Sequence, residues 1–179
     1  MHRYPLITLL KQHQPADSTE QAMTQDTLSF VQANADCFER SLLIGHVTGS
    51  AWIVSPDRQK TVLIHHRKLD RWFQPGGHAD GDPNIGGVAF REAEEETGLT
   101  SLKPISPQIY DVDVHPIPAR GDVPEHLHYD IRFLLEADPN EPFVLTDEVN
   151  AVRWLSMDEV QQLTDSESVL RMIRKMNSY

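Results

Sequence analysis

The sequence predicts an α/β fold built on a mixed sheet. Two observations carry that reading. Runs rich in β-branched and aromatic residues recur between positions 45 and 160, each short enough for a strand. One sharply punctuated helical segment, at about 83–97, falls among them, and helical patterns occupy both ends of the chain. Helices placed at the ends and once in the middle do not suit a regularly wound parallel sheet.

Residues 1–44 read as a helical extension. In "STEQAMTQDTLSFVQANADCFER" Ser18 is followed three residues later by Gln21, the pattern of a capping box. Met23, Leu28, Val31, Ala35 and Phe38 supply an apolar stripe. From position 45 the texture changes. "HVTGSAWIVS" and "TVLIHHRK", separated by "PDRQ", predict a hairpin, and "RWFQPGG" a short extended piece stopped by Pro75 and two glycines. "PQIYDVDVHPIP", "HLHYDIRFLLEA" and "AVRWLS" predict three more strands, and "MDEVQQL" and "SESVLRMIRKM" two closing helices. The expected organisation is therefore an extension over 1–44 followed by one α/β domain over 45–179.

The central helix has clear limits. Asp82 is expected as N-cap with Pro83 at N1, where a missing N–H costs little, and Gly98 as the residue that ends it. Glu92, Glu94, Glu95 and Glu96 crowd its last turns. Glu92, Glu95 and Glu96 are related by three- and four-residue steps and share a face, while Glu94 points elsewhere. Like charges so placed destabilise a helix by roughly 0.2–0.5 kcal/mol per pair, and acids at a helix C-terminus oppose its dipole. Two local rules broken at one place mark a candidate site. Several carboxylates on one rigid face are what a hard divalent cation binds, although a solvated acidic face would look the same.

Composition narrows the classes. At 179 residues, 39% hydrophobic and 24% charged, the chain suits one soluble globular domain with or without an extension. A formal charge of −11 repels polyanions, so no nucleic-acid partner is expected. A small phosphorylated substrate remains compatible once a bound cation reverses the local sign. The single cysteine, Cys37, excludes an intramolecular disulfide and a cysteine-rich zinc site, and is expected to pack as an apolar residue. "MHRYPLITLLKQHQ" lacks the pattern of a signal peptide and no run is long enough to span a bilayer. A cytoplasmic protein without membrane attachment is expected.

The stretch from Gly76 to Leu99 resembles the signature of the Nudix hydrolase family: Gly, five residues, Glu, seven residues, then Arg-Glu-apolar-any-Glu-Glu-any-Gly-apolar. Gly77 and "REAEEETGL" from Arg91 match at the required spacing, so eight of the nine specified positions agree. "GHVTGSAWIV", "HHRKLDRWFQPGGHADGD" and "HPIPARGDVPEHLHYDIRFL" are similar to a bacterial Nudix subgroup, which extends the resemblance over about 37–160. The resemblance implies an α/β/α sandwich with a mixed sheet. It implies hydrolysis, with Mg2+ or Mn2+, of a diphosphate linkage in a nucleotide sugar or ADP-ribose type of substrate, or in a nucleoside triphosphate. It places Glu92, Glu95 and Glu96 at metal-binding or base positions, with the backbone of Gly76 or Gly77 completing the shell. Arg91 falls where the family has an arginine that orients the glutamates. Glu148 resembles a late loop acid that serves some members as base or extra ligand; a surface glutamate is the equal alternative.

Pro83 departs from the pattern, since the family has Glu there to support the arginine. Asp80 or Asp82 is the replacement at hand, with Asp82 also the expected cap. The departure is expected to weaken activity or alter metal preference rather than abolish turnover; a ligand-binding domain with little catalysis is the alternative. Two strand faces gather further polar groups: His126, His128 and Asp130 on one, Asp111, Asp113 and His115 on the other. No zinc-type spacing is evident among the nine histidines. The matching segments imply a substrate pocket containing His78, His115 and His128, whereas His65 and His66 read as polar-face residues. Arg67, Lys68 and Arg71 are candidates to meet substrate phosphates, with an exposed surface cation the commoner alternative for any one of them. Trp52, Trp72 and Trp154 read as core. The N-terminal helices are the surface expected to pair subunits, if a homodimer forms, or to cover a pocket.

Overall fold

The computed structural model describes residues 2–67, 70–145 and 149–176. Helices α1 (Tyr4–Gln12) and α2 (Ser18–Ala33) come first. Then follow β1 (Gly45–Val54), β2 (Lys60–His66), β3 (Arg71–Phe73), β4 (Gly76–His78) and α3 (Ile85–Thr97). The chain continues through β5 (Lys103–Pro104), β6 (Asp111–Ile117), β7 (His126–Glu136), β8 (Val149–Ser156), α4 (Met157–Leu163) and α5 (Glu167–Met176). The helix α2 is capped by Asp17, whose side chain accepts the Glu20 N–H, and not by Ser18 in a capping box as expected. Asp at that position does the same work one residue earlier.

The strands form one mixed sheet centred on β1, which runs parallel to β7 over its whole length and antiparallel to β4. The predicted β1–β2 hairpin exists, but the pair meets only near its turn, at Val54↔Thr61. Beyond that point β2 diverges to pair with β3 and β8, while β6 lies along the other side of β7. The alternation along β1 and β7 sorts the side chains by face. Val47, Ala51, Ile131 and Phe133 face α3 and the N-terminal helices. Trp52, Val54 and Leu134 face α4 and α5. Helices therefore cover both faces, which is the expected α/β/α sandwich. Among the described residues no helix is long and apolar enough to cross a membrane.

The N-terminal helices pack into this core. Leu6, Leu10, Phe30 and Val31 are buried with Val47, Val88 and Ile131, and Phe30 stacks on Tyr129 with ring centres 4.0 Å apart. The same helix covers the outer edge of β6. The Val112 N–H donates to Glu20 Oε1, and the Val114 N–H points to the Met23 sulfur at 3.3 Å. An uncovered edge strand would offer those donors to another chain. Glu20 is fully buried and also accepts from Lys175 of α5 and pairs with His13. Arg171 of α5 donates to Asp111 through two nitrogens at 2.8 Å. One buried charged cluster thus ties α2 and α5, on opposite sides of the sheet, to one strand.

Burial alone would raise the Glu20 carboxyl, but hydrogen bonds from His13, the Ala16 N–H and Lys175 overcome it and hold the group at about 2. Its ordinary value is 4.5. The stability contributed by this depressed acid is fully present above pH 4.5 and is lost as the pH falls towards 2. Urea unfolding at a series of pH values should show wild-type stability declining through that window. Glu20→Gln should lose about 3–5 kcal/mol at neutral pH, because it leaves buried cations without their partner, and should flatten the acid decline. A parallel decline in both proteins would remove Glu20 from this role.

Candidate active site

The site begins with how β4 is held. Pro75 ends the extended piece after β3, and its carbonyl accepts the Ala51 N–H at 2.9 Å. The chain then pairs antiparallel with β1 in the register Ser50↔Gly76, Gly49↔Gly77 and Thr48↔His78. Gly77 thereby faces α3 and His78 faces the opposite side. A Cβ built on Gly77 would lie 2.3 Å from Glu92 Oε2, and one on Gly49 would lie 2.9 Å from the Ile85 carbonyl oxygen. The absence of side chains at these two positions lets α3 lie against the strands.

The helix starts later than the sequence predicts. Asn84 is the N-cap, its side chain accepting the Gly87 N–H at 3.2 Å, and Pro83 precedes the helix instead of occupying N1. Asn is as good a cap as Asp. Asp82 is thus released from capping the helix. It accepts the Asn84 N–H and pairs with Arg91 at 3.6 Å. Asp80, the other candidate replacement for the missing signature Glu, is held by both ends of the Arg40 guanidinium. Gly98 ends the helix in the left-handed conformation, at φ 71°, as expected.

The signature acids separate by environment. Glu96 is buried at 8% exposure and accepts the Gly76 N–H at 2.9 Å. Glu92, half-buried, lies against Gly77. Glu95 and Glu94 are both exposed, Glu95 three residues on from Glu92 and so on the same side of the helix. Ala93 and Thr97 are buried on the core side. The structure therefore turns Glu92 and Glu96, one helical turn apart, towards β4. Carboxylate oxygens gathered at a glycine backbone are the hard donor set that Mg2+ and Mn2+ take, so the residues present fit such an ion. A cavity of about 540 Å3 opens at the other end of α3, lined by Leu6, Leu9, Pro83, Ile85 and Phe133 among others, and none of the signature glutamates lines it.

On the opposite face of the sheet the structure assembles histidines that are far apart in sequence. His46 of β1 is level with His128 of β7, which is level with His115 of β6. The ring of His78 lies 5.1 Å from that of His46 and 5.0 Å from that of His128. His126 is 5.0 Å from His46. Burial, reinforced by the neighbouring histidines, pushes His46 down to about 4 and His128 to about 2, and burial also lowers His78. His115 is held through Nδ1 by Asp113 at 2.9 Å. Burial alone would raise Asp113, but His115 and Arg132 bring it down to about 2. Asp130, on the same face, accepts from Thr48, Ser50 and Arg132.

His78, His115 and His128, expected to share a pocket, do come together. The fold adds what spacing along the chain does not contain: His46, His78 and His128 bring ring nitrogens within 4.8 Å of one another. Spacing along the chain could not show this, because the three sit on three strands. His46 was not singled out from the sequence, although "HVTGS" places His46, Thr48 and Ser50 on alternate positions, the signal of a polar strand face. Arg67 donates to Asn150 at 3.3 Å and Arg71 stands across from His66, so the structure joins neither to the α3 carboxylates. Lys68 and Glu148 lie outside the described residues. Trp52 is fully buried, Trp72 and Trp154 partly so, and Cys37 is buried with its thiol pushed up to about 11 by desolvation.

The NUDIX domain family matches residues 46–176. CMP-5'-(N-acetyl-N-hydroxy-3-aminopropyl)phosphonate hydrolase of Streptomyces rubellomurinus is 30% identical over 123 residues, 66% of this chain and 56% of that protein. This chain therefore spans little more than half the length of that relative. The asymmetrical bis(5'-nucleosyl)-tetraphosphatase of Rattus norvegicus is 28% identical over 117 residues, covering 65% of this chain and 73% of that protein. Among solved structures, an Ap4A hydrolase of C. elegans superposes with a TM-score of 0.60 at 17% identity, covering 74% of this chain and 95% of the other. That likeness is one of fold. With the family matched over most of its length, and its signature glutamates set on α3 against β4, the chain belongs to the Nudix hydrolase family.

Proposed function

We propose that this protein is a divalent-metal-dependent pyrophosphohydrolase that cleaves a diphosphate linkage by attack of water on phosphorus. The observation that carries the reading is the convergence of Glu92 and Glu96 on the glycine backbone of β4. A nucleoside diphosphate derivative is the proposed substrate class, a nucleotide sugar or ADP-ribose before a nucleoside triphosphate. Both named relatives act on molecules that contain a nucleoside 5'-phosphate, which supports a nucleotide end on the substrate.

Glu92, Glu95 and Glu96 would hold Mg2+ or Mn2+, with the backbone at Gly76 or Gly77 as a further oxygen donor. Such an ion neutralises phosphate oxygens and makes bound water a stronger nucleophile. The chain's own residues do the rest. The Gly76 N–H fixes the Glu96 carboxylate in place. Arg91, paired with Asp82, steadies the exposed side of α3. Glu148 is the proposed base, and Arg67, Lys68, Arg71 and His115 are the groups offered to substrate phosphates. Pro83 is the feature that supports a binding-only reading, and the Asp82–Arg91 pair is the observation against it.

Two outcomes test the reading. In a screen of nucleoside diphosphate compounds with products identified by mass, excess chelator should abolish turnover and Mg2+ or Mn2+ should restore it; full turnover in chelator would exclude the metal role. Reaction in heavy-oxygen water would show which phosphorus gains the label. At saturating metal, Glu95→Gln and Glu96→Gln should each lower kcat by roughly a hundredfold or more, because the lost charge acts mainly in the transition state. Glu94→Gln should stay within roughly twofold, since an exposed substitution away from the metal removes little. Thermal melts should show all three variants folded. Equal losses at positions 94, 95 and 96 would contradict the site.

A further inference from the structure

We propose that His46, His78 and His128 form a second metal site, separate from the α3 carboxylates, that takes a borderline transition metal such as Zn2+. The three rings come from β1, β4 and β7, so the sheet itself holds them. The donors are imidazole nitrogens, which suit Zn2+ and its neighbours and not Mg2+.

The ordinary account of a buried histidine is that its ring nitrogens are hydrogen-bonded inside the protein. That account is incomplete here. His46 is only 3% exposed; its ring has the Leu42 carbonyl as a neighbour for one nitrogen at most, and its other nitrogen and the buried Nε2 of His128 have no hydrogen-bond partner. Buried polar atoms without partners are uncommon in folded proteins. Two such nitrogens within a single cluster, on rings that converge with His78, point to a position that can receive a ligand. The outer histidines differ. His126 is bonded through Nδ1 to the Pro124 carbonyl and His115 to Asp113, so each has the fixed orientation that the inner group lacks.

Geometry limits the ligand. The donor atoms lie within 4.8 Å of one another. Tetrahedral zinc with Zn–N bonds of about 2.0–2.1 Å needs donors roughly 3.4 Å apart. The closing movement is thus at most about 1.4 Å, within the reach of small ring rotations. Three imidazoles leave a fourth position for water or a substrate oxygen. The two sites lie on opposite faces of β4. Gly77 faces α3 and Glu92, and the next residue, His78, faces His46 and His128.

The test reads binding and not turnover, so it is independent of the proposed hydrolysis. Full-length protein stripped with chelator is titrated with Zn2+ against a chromophoric competitor, and separately with Co2+, whose visible absorption reports tetrahedral nitrogen ligation. Wild type should take up one tight equivalent of Zn2+ and develop the Co2+ band. His128→Gln and His78→Gln should each weaken Zn2+ binding roughly a hundredfold or more and abolish the band, at least the loss seen when groups supporting zinc ligands are changed. Glu96→Gln should keep both. Circular dichroism shows which variants fold; should His128→Gln fail, His78→Gln, on the less buried ring, decides. Unchanged Zn2+ affinity in the folded histidine variants, or its loss in Glu96→Gln alone, would overturn the proposal.

Discussion

The close approach of α3 to β1 and β4 is the constraint on which the rest of the molecule depends. It exists because Gly49 and Gly77 present no side chain, and because Ala89 and Ala93 present small ones. A methyl group at Gly49 would meet the backbone of Ile85, which cannot step aside as a flexible side chain can. With the helix drawn in, Glu92 and Glu96 reach β4 and the acidic crowding of the last turns becomes useful. The repulsion that makes the helix a poor one in isolation is the same charge density that the proposed cation would neutralise in the fold.

The second organising feature is the polar face of the central strands. A sheet sandwiched between helices ordinarily buries apolar residues on both faces. Here the face beneath α4 and α5 is divided. Trp52, Val54 and Leu134 fill one part, and Asp130, Arg132, Asp111, Asp113 and the histidines fill the other. Arg132 and Arg171 are almost fully buried, and their bonds to these aspartates compensate the charge. Such clusters are weak sources of net stability but strong selectors of arrangement, since a wrong packing leaves charges unpaired. Extended around the β6 edge through Glu20 and Lys175, the cluster makes the N-terminal helices part of the same core.

What was legible in the sequence follows the range of the interaction concerned. The strands at β1, β2, β6, β7 and β8 were read from runs of β-branched and aromatic residues, and α3 was read from its period and from Gly98, because those signals are local. The start of α3 was misplaced by the competition between two caps. Asp82 and Asn84 both accept N–H groups, but it is Asn84 that reaches the first turn, at the Gly87 N–H, while Asp82 accepts from Asn84 itself. That small shift matters, since it leaves Asp82 to pair with Arg91 where the signature glutamate is missing.

The sequence by itself determined the family, the fold class and the acidic face of α3, because spacing along one helix is conserved in three dimensions by the helix geometry alone. It also placed His126, His128 and Asp130 on one side of a strand, for the same reason. Only the tertiary structure decided which acids turn towards β4, that the N-terminal helices belong to the core, and that His46, His78 and His128 meet. Those outcomes depend on the register of β1 with β4 and β7. A shift of one residue in any of these pairings would send the same side chains to the other face, and nothing local to His46, His78 or His128 records the register that brings them together.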